Sequence, residues 1–202
     1  MKSWIKKLYR KVSGWFKAKV ARQVNIKKII LDDGEEILDL PFQLPTEPSK
    51  ELKFVREALR HVGITEDTPN YSPALVKLLK GRTFWRPGEA WCMYSINAIG
   101  ILAFGKDWTL GKGGGTQVVY NEQVQKGRVS QVPHFGDLIT FQNKSDSWHG
   151  HVGIILHIID SKWCYTWEGN AGNKSGVFKR NYKTAYIGKR VRGFIDPFVG
   201  MR

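Results

Sequence analysis

The chain predicts an α+β fold, with helices first and a small antiparallel sheet after them. Three observations carry that expectation. Leu52, Val55, Leu59 and Val62 recur at helical spacing. Ala90–Phe104 is a largely apolar run of helical length. From Asp137 onward, short β-rich runs alternate with turn residues. The 202 residues suffice for one good core plus an appendage.

Residues 1–24 read as a cationic amphipathic helix. On a helical wheel Trp4, Ile5, Leu8, Tyr9, Val12, Trp15, Phe16 and Val20 share one half, while Lys2, Lys6, Lys7, Arg10 and Lys17 share the other. Such a face suits the plane of an anionic membrane surface, or equally a packing site on the body of the protein. Residues 25–49 read as a β-hairpin around Asp33-Gly34 followed by a linker with Pro41, Pro45 and Pro48. The body spans residues 50–202. Its helices are expected over Lys50–Val62, 73–80, Ala90–Phe104 and Gln117–Lys126, and its strands over Asp137–Gln142, His151–Ile159, Trp163–Glu168, Gly176–Arg180 and Arg190–Ile195.

The formal net charge is +14. Residues 1–30 carry ten Lys/Arg and no acid, but residues 49–202 hold 22 basic against 12 acidic residues, so the body is basic in its own right. Polyanions are the expected partners: anionic lipid, wall polymer or nucleic acid. No zinc-finger or RNA-binding signature is present, which makes nucleic acid the weakest of the three. No run reaches the roughly 18 apolar residues of a membrane span, and no secretory h-region is present.

Two cysteines, Cys92 and Cys164, are too few for a disulfide framework. Cys164 reads as a core strand cysteine. Cys92 falls at a helix start, where the helix dipole and free N–H groups favour a thiolate. A thiolate enzyme needs a base. Of His61, His134, His149, His151 and His157, His151 opens the apolar run Val152–Leu156 and so belongs at a strand edge facing a cleft. His149 lies two residues away, on the same face if extended, and His157 is expected on that face further along. Seventeen residues after His151 comes Glu168, followed by Gly169 and Asn170; either polar side chain could hold the imidazole ring. His149 and His151 lack the further ligands zinc requires, so no metal and no cofactor is expected. The four glycines of Gly111–Gly115 do not fit a phosphate-binding loop and read as a flexible loop near the site.

Trp91-Cys92, Phe135-Gly136-Asp137-Leu138-Ile139, His151-Val152-Gly153-Ile154 and Glu168-Gly169-Asn170, in this order and spacing, resemble the CHAP family of cysteine, histidine-dependent amidohydrolases/peptidases, related to NlpC-type and papain-like enzymes. The resemblance covers roughly residues 50–196. It implies a papain-like arrangement, with helices carrying the cysteine packed on a sheet carrying the histidine and the acid. It implies hydrolysis of an amide bond in peptidoglycan, either muramoyl–alanine or within the stem or cross-bridge. Cys92 would be the nucleophile, His151 the base, Glu168 the orienting acid and Asn170 a further polar member. Trp91, His149 and Trp167 would contact substrate. A phage lysin, a virion-associated lysin or a secreted antibacterial effector would each act at the wall without a signal peptide. The competing expectations are a thiol amidase or protease on another substrate, and a basic binding protein with a degenerate site.

Overall fold

The computed structural model describes residues 40–184 and 189–201. The helix expected over residues 1–24 and the hairpin around Asp33-Gly34 lie outside them.

Among the described residues, four α-helices come first. Helix α1 (Lys50–Leu59) starts where the Ser49 hydroxyl accepts the Leu52 N–H, and it buries Leu52, Phe54, Val55, Ala58 and Leu59. Helix α2 (Pro73–Leu79) is capped by Ser72 in the same way, with proline in its first turn. Helix α3 (Cys92–Phe104) is the central element, buried on nearly every side. Gly100 lets it seat against Trp108: a Cβ there would come within 2.2 Å of the indole. Helix α4 (Thr116–Gln125) follows the glycine loop, with Gly115 as its N-cap.

The sheet is antiparallel throughout, in the order β1-β6-β2-β3-β4-β5. Its strands are β1 (Val129–Ser130), β2 (Leu138–Asn143), β3 (Gly150–Ile158), β4 (Trp163–Glu168), β5 (Gly176–Asn181) and β6 (Lys189–Ile195). The two-residue β1, too short to carry a periodic signal, is the strand the sequence does not announce.

Strand alternation divides the core. Leu138, Val152, Ile154, Leu156, Trp167, Val177 and Ile195 pack with α1 and α3. Ile139, Phe141, Ile155, Cys164 and Phe194 form a second cluster from the alternate positions. Burial on both faces explains why β2 and β3 read as nearly continuous apolar runs.

Two expectations change here. The segment 41–49 has no regular structure, yet it is not a loose linker. Leu40 is buried, and Phe42 stacks on His157 and Tyr165 at 4.9 and 5.1 Å. The packed unit therefore begins by residue 40 rather than at Lys50. His157, expected on the face of His151, is turned away from it. The β3–β4 register shifts between Ile155 and His157, which pairs His157 with Tyr165 and carries its ring onto the Phe42 side.

Candidate active site

Cys92 is the first residue of α3, and no side chain caps that helix end. The opening amides of a helix have no carbonyl partner within it, so they face the sulfur and whatever binds there. The Met93 N–H is directed at the thiol, and the Thr116 hydroxyl at the start of α4 lies 3.8 Å from the sulfur. Both cysteines are free.

His151, the second residue of β3, is 7% exposed. Its Nε2 is 2.8 Å from Glu168 Oε2, so with the carboxylate ionised this nitrogen carries the proton and donates. That contact leaves Nδ1 for the thiol side, where His151 and Cys92 interact by hydrogen bond and charge. His151 also stacks on Phe141, its Cα partner across β2, at 6.1 Å.

Glu168 ends β4 and is fully buried. Arg180 on β5 grips it along one edge of the guanidinium: Nε donates to Oε1 and Nη2 to Oε2, each at 2.6 Å. The Thr166 hydroxyl donates to Oε1, also at 2.6 Å. Gly153 makes room for this carboxylate. A Cβ at that position would lie 2.7 Å from Glu168 Cγ.

The electrostatics follow from this stack. Burial would raise the Glu168 pKa, but the bonds and charge of Arg180, and then those of His151, hold it down to about 2. Burial would lower His151, but its bonds to Cys92 and Glu168 push it up to about 9. Burial would raise Cys92, yet the His151 hydrogen bond and charge, with Thr116 and Met93, bring it below its ordinary value. Both shifts favour a thiolate–imidazolium pair. Cys164 differs: burial and the nearby Glu168 charge push it up to about 12, so it stays a neutral core thiol.

Cys92, His151 and Glu168 are thus brought together. The other sequence-predicted residues are not. Asn170 sits in a left-handed turn (φ 57°) and its amide reaches away from His151. In one orientation it donates to Asn70 Oδ1 at 3.1 Å; in the flipped orientation it accepts the Trp91 N–H at 3.0 Å and donates to Glu66 Oε1 at 3.1 Å. It ties the turn after β4 to the start of α3, which is a positioning role. Trp91 and Trp167 are fully buried and belong to the core, so neither is placed to touch a substrate. Trp91 donates its indole N–H to Glu66 at 2.7 Å. His149 lies in the β2–β3 turn, its side chain 81% exposed and held by Asp146 at 3.1 Å.

Thr116, Thr166 and Arg180 are site residues that the sequence reading misses, and Gly153 enters it only as part of the His151-Val152-Gly153-Ile154 motif. Thr166 and Arg180 had a signal. Thr166 lies two residues before Glu168, on the same strand face, and Arg180 lies two after Phe178 in a strand that reads as buried. A lone basic residue on such a face requires a carboxylate partner.

Among the described residues, no group of three or more His, Cys, Asp or Glu side chains could hold a metal ion. No described helix is long and apolar enough to cross a membrane. Comparison of the chain with protein-family models, curated proteins and solved structures gives no match.

Proposed function

We propose that this protein is a papain-like thiol amidohydrolase that cleaves an amide bond of bacterial peptidoglycan. The observation that carries the chemical part is the His151 Nε2–Glu168 contact of 2.8 Å, which directs the other ring nitrogen to Cys92. The CHAP-like motif order supplies the substrate class.

The chemistry derives from the site. The Cys92 thiolate attacks the scissile carbonyl carbon, and the developing oxyanion is received by free amides at the start of α3. His151 gives its Nδ1 proton to the departing amine as the C–N bond breaks, leaving a thioester on Cys92. The neutral ring then takes a proton from water, whose hydroxide attacks the thioester. The acid leaves and the thiolate–imidazolium pair is restored. Glu168 keeps its charge throughout, orienting the ring and stabilising its cationic form, because Arg180 and Thr166 hold it ionised.

The cationic residues 1–24 would bring the enzyme to an anionic membrane or envelope surface, after phage- or secretion-type delivery. The test is digestion of purified sacculi with mass spectrometry of the products. Wild type should release fragments with new amine and carboxyl ends, which also identifies the bond. Cys92→Ala should release none while melting like wild type. Undiminished release by Cys92→Ala would overturn the reading.

A further inference from the structure

A groove of about 160 Å³ begins one residue along the chain from Thr116, the nucleophile's neighbour. Thr116 touches Cys92, and the next residue, Gln117, lines the groove with Asn121, Gln142, Trp148 and Arg192. Gln117 also donates to the Phe141 carbonyl at 2.9 Å, and Phe141 is the residue on which His151 stacks. The groove adjoins a wider one of about 510 Å³ over the β2–β3 turn, with Gln142 and Ser147 common to both.

Two features need an explanation that the catalytic residues do not provide. The first is the cationic row of β6. Lys189 bonds Asn143 Oδ1, Arg190 bonds Gln142 Oε1, and Arg192 bonds Gln117 Oε1 at 2.7 Å and Asn121 Oδ1 at 2.6 Å. Every one of these acceptors is a neutral carboxamide. Such partners fix a cation in place without cancelling its charge. The carboxylate lining the wider groove, Asp146, is engaged by the Trp148 and His149 amides, the His149 ring and Asn143.

Arg192 is also specially aimed. In the β2–β6 register Val191 pairs with Phe141 and Gly193 with Thr140, so Arg192 is the extra residue of a β-bulge. The guanidinium lies 4.2 Å over the Tyr120 ring, and the Tyr120 hydroxyl donates to the Arg192 carbonyl at 2.9 Å. A Cβ on Gly193 would come within 2.5 Å of that hydroxyl, so glycine keeps this arrangement possible.

The second feature is Trp148, 81% exposed at the edge of the groove, its backbone N–H held by Asp146 at 3.1 Å. A large aromatic held open to water beside amides and a guanidinium is a surface for a ligand with a ring or apolar stem and an anionic group.

We infer that this groove is a substrate subsite, in which Arg192 anchors a carboxylate of the wall polymer and Trp148 packs on the adjoining ring or apolar portion. This rests on the proposed function and names which part of that substrate is gripped. Arginine suits the role because its planar fork matches a carboxylate.

The test uses the full chain and soluble disaccharide-peptide fragments of purified wall, with their carboxylates either free or amidated. Binding is measured on Cys92→Ala protein, and turnover on protein with Cys92 intact. Arg192→Gln should weaken binding of the free-carboxylate fragments about tenfold, the loss of one charge-assisted contact. Amidation of the fragments should cause a similar loss, and Arg192→Gln should add little to it. Arg192→Lys should recover part of the affinity. In turnover the loss should fall on KM rather than kcat. Trp148→Ala, at a position too exposed to disturb folding, should also raise KM. Unchanged KM in Arg192→Gln and Trp148→Ala, or binding indifferent to amidation, overturns the subsite. Amidation-sensitive, Arg192-dependent binding without any cleavage by wild type would instead sustain the subsite and overturn the hydrolase reading.

Discussion

Arg180 and Glu168 meet side-on through two hydrogen bonds of 2.6 Å, inside a protein that leaves 2% of one residue and none of the other exposed. The carboxylate that orients His151 is therefore charged because of a residue one strand further from the thiol. Arg180→Met should take from the buried Glu168 its strongest partner, leaving His151 and Thr166, at a cost of about 3–5 kcal/mol. Glu168 would then take up a proton and release its hold on the imidazolium. Adding Glu168→Gln should recover much of the stability and none of the activity. Thermal melting of the two variants beside a turnover assay checks both halves.

The pH dependence has a definite sign. His151 is raised to about 9 in the folded protein, so its stabilisation is complete below its ordinary value of 6.5 and is lost as pH rises through 9. Activity should fall over the same alkaline range, as imidazolium gives up the proton meant for the leaving amine. Glu168, held down to about 2, contributes stability above its ordinary 4.5 that disappears as pH falls toward 2. In Cys92→Ala the His151 ring should titrate at lower pH than in wild type, because the thiolate partner is gone. NMR titration of the ring measures that difference directly.

Gly153→Ala should damage the site without touching any reacting group. The added methyl would meet Glu168 Cγ at 2.7 Å and the Trp167 carbonyl at 3.0 Å, both hemmed in by the sheet. Overpacking of this kind costs about 1–3 kcal/mol. With the carboxylate displaced from His151, turnover should drop more than tenfold, about 1.4 kcal/mol in barrier. A melting curve and a progress curve suffice.

The two cysteines should separate cleanly by alkylation. At neutral pH iodoacetamide should modify Cys92 once and leave Cys164 untouched, since the latter is fully buried and pushed up to about 12. Intact-mass spectrometry should show a single adduct in wild type and none in Cys92→Ala.

Removal of residues 1–24 should leave hydrolysis of soluble fragments intact and abolish sedimentation with anionic vesicles. Equal sedimentation of the truncated and full chains would assign that apolar face to packing instead.

Most of the fold was legible because its signals are local. Ser72-Pro73 marks a helix start, and the apolar runs of β2 and β3 are long enough to read. Cys92, His151 and Glu168 were legible because order and spacing constrain them together. What escaped depends on register and depth. A one-residue shift at Ile155/His157 moves His157 to the other face, and nothing local forecasts it. Trp91 and Trp167 flank site residues in sequence, but adjacency along a helix start or strand turns neighbours away from the cleft and into the core. Arg180 is paired across a strand, so its partner is invisible until β4 and β5 are aligned.

Asn170 touches neither sulfur nor imidazole, yet it joins the turn that follows Glu168 to the backbone that precedes Cys92. Gly169 beside it allows that approach, since a Cβ there would strike the Ser95 hydroxyl at 2.3 Å. The nucleophile comes from the helices and its base from the sheet, and this clasp is one place where the two are latched. A designer transplanting the three reacting residues onto another scaffold would obtain the parts without the spacing between them, unless the clasp travelled too.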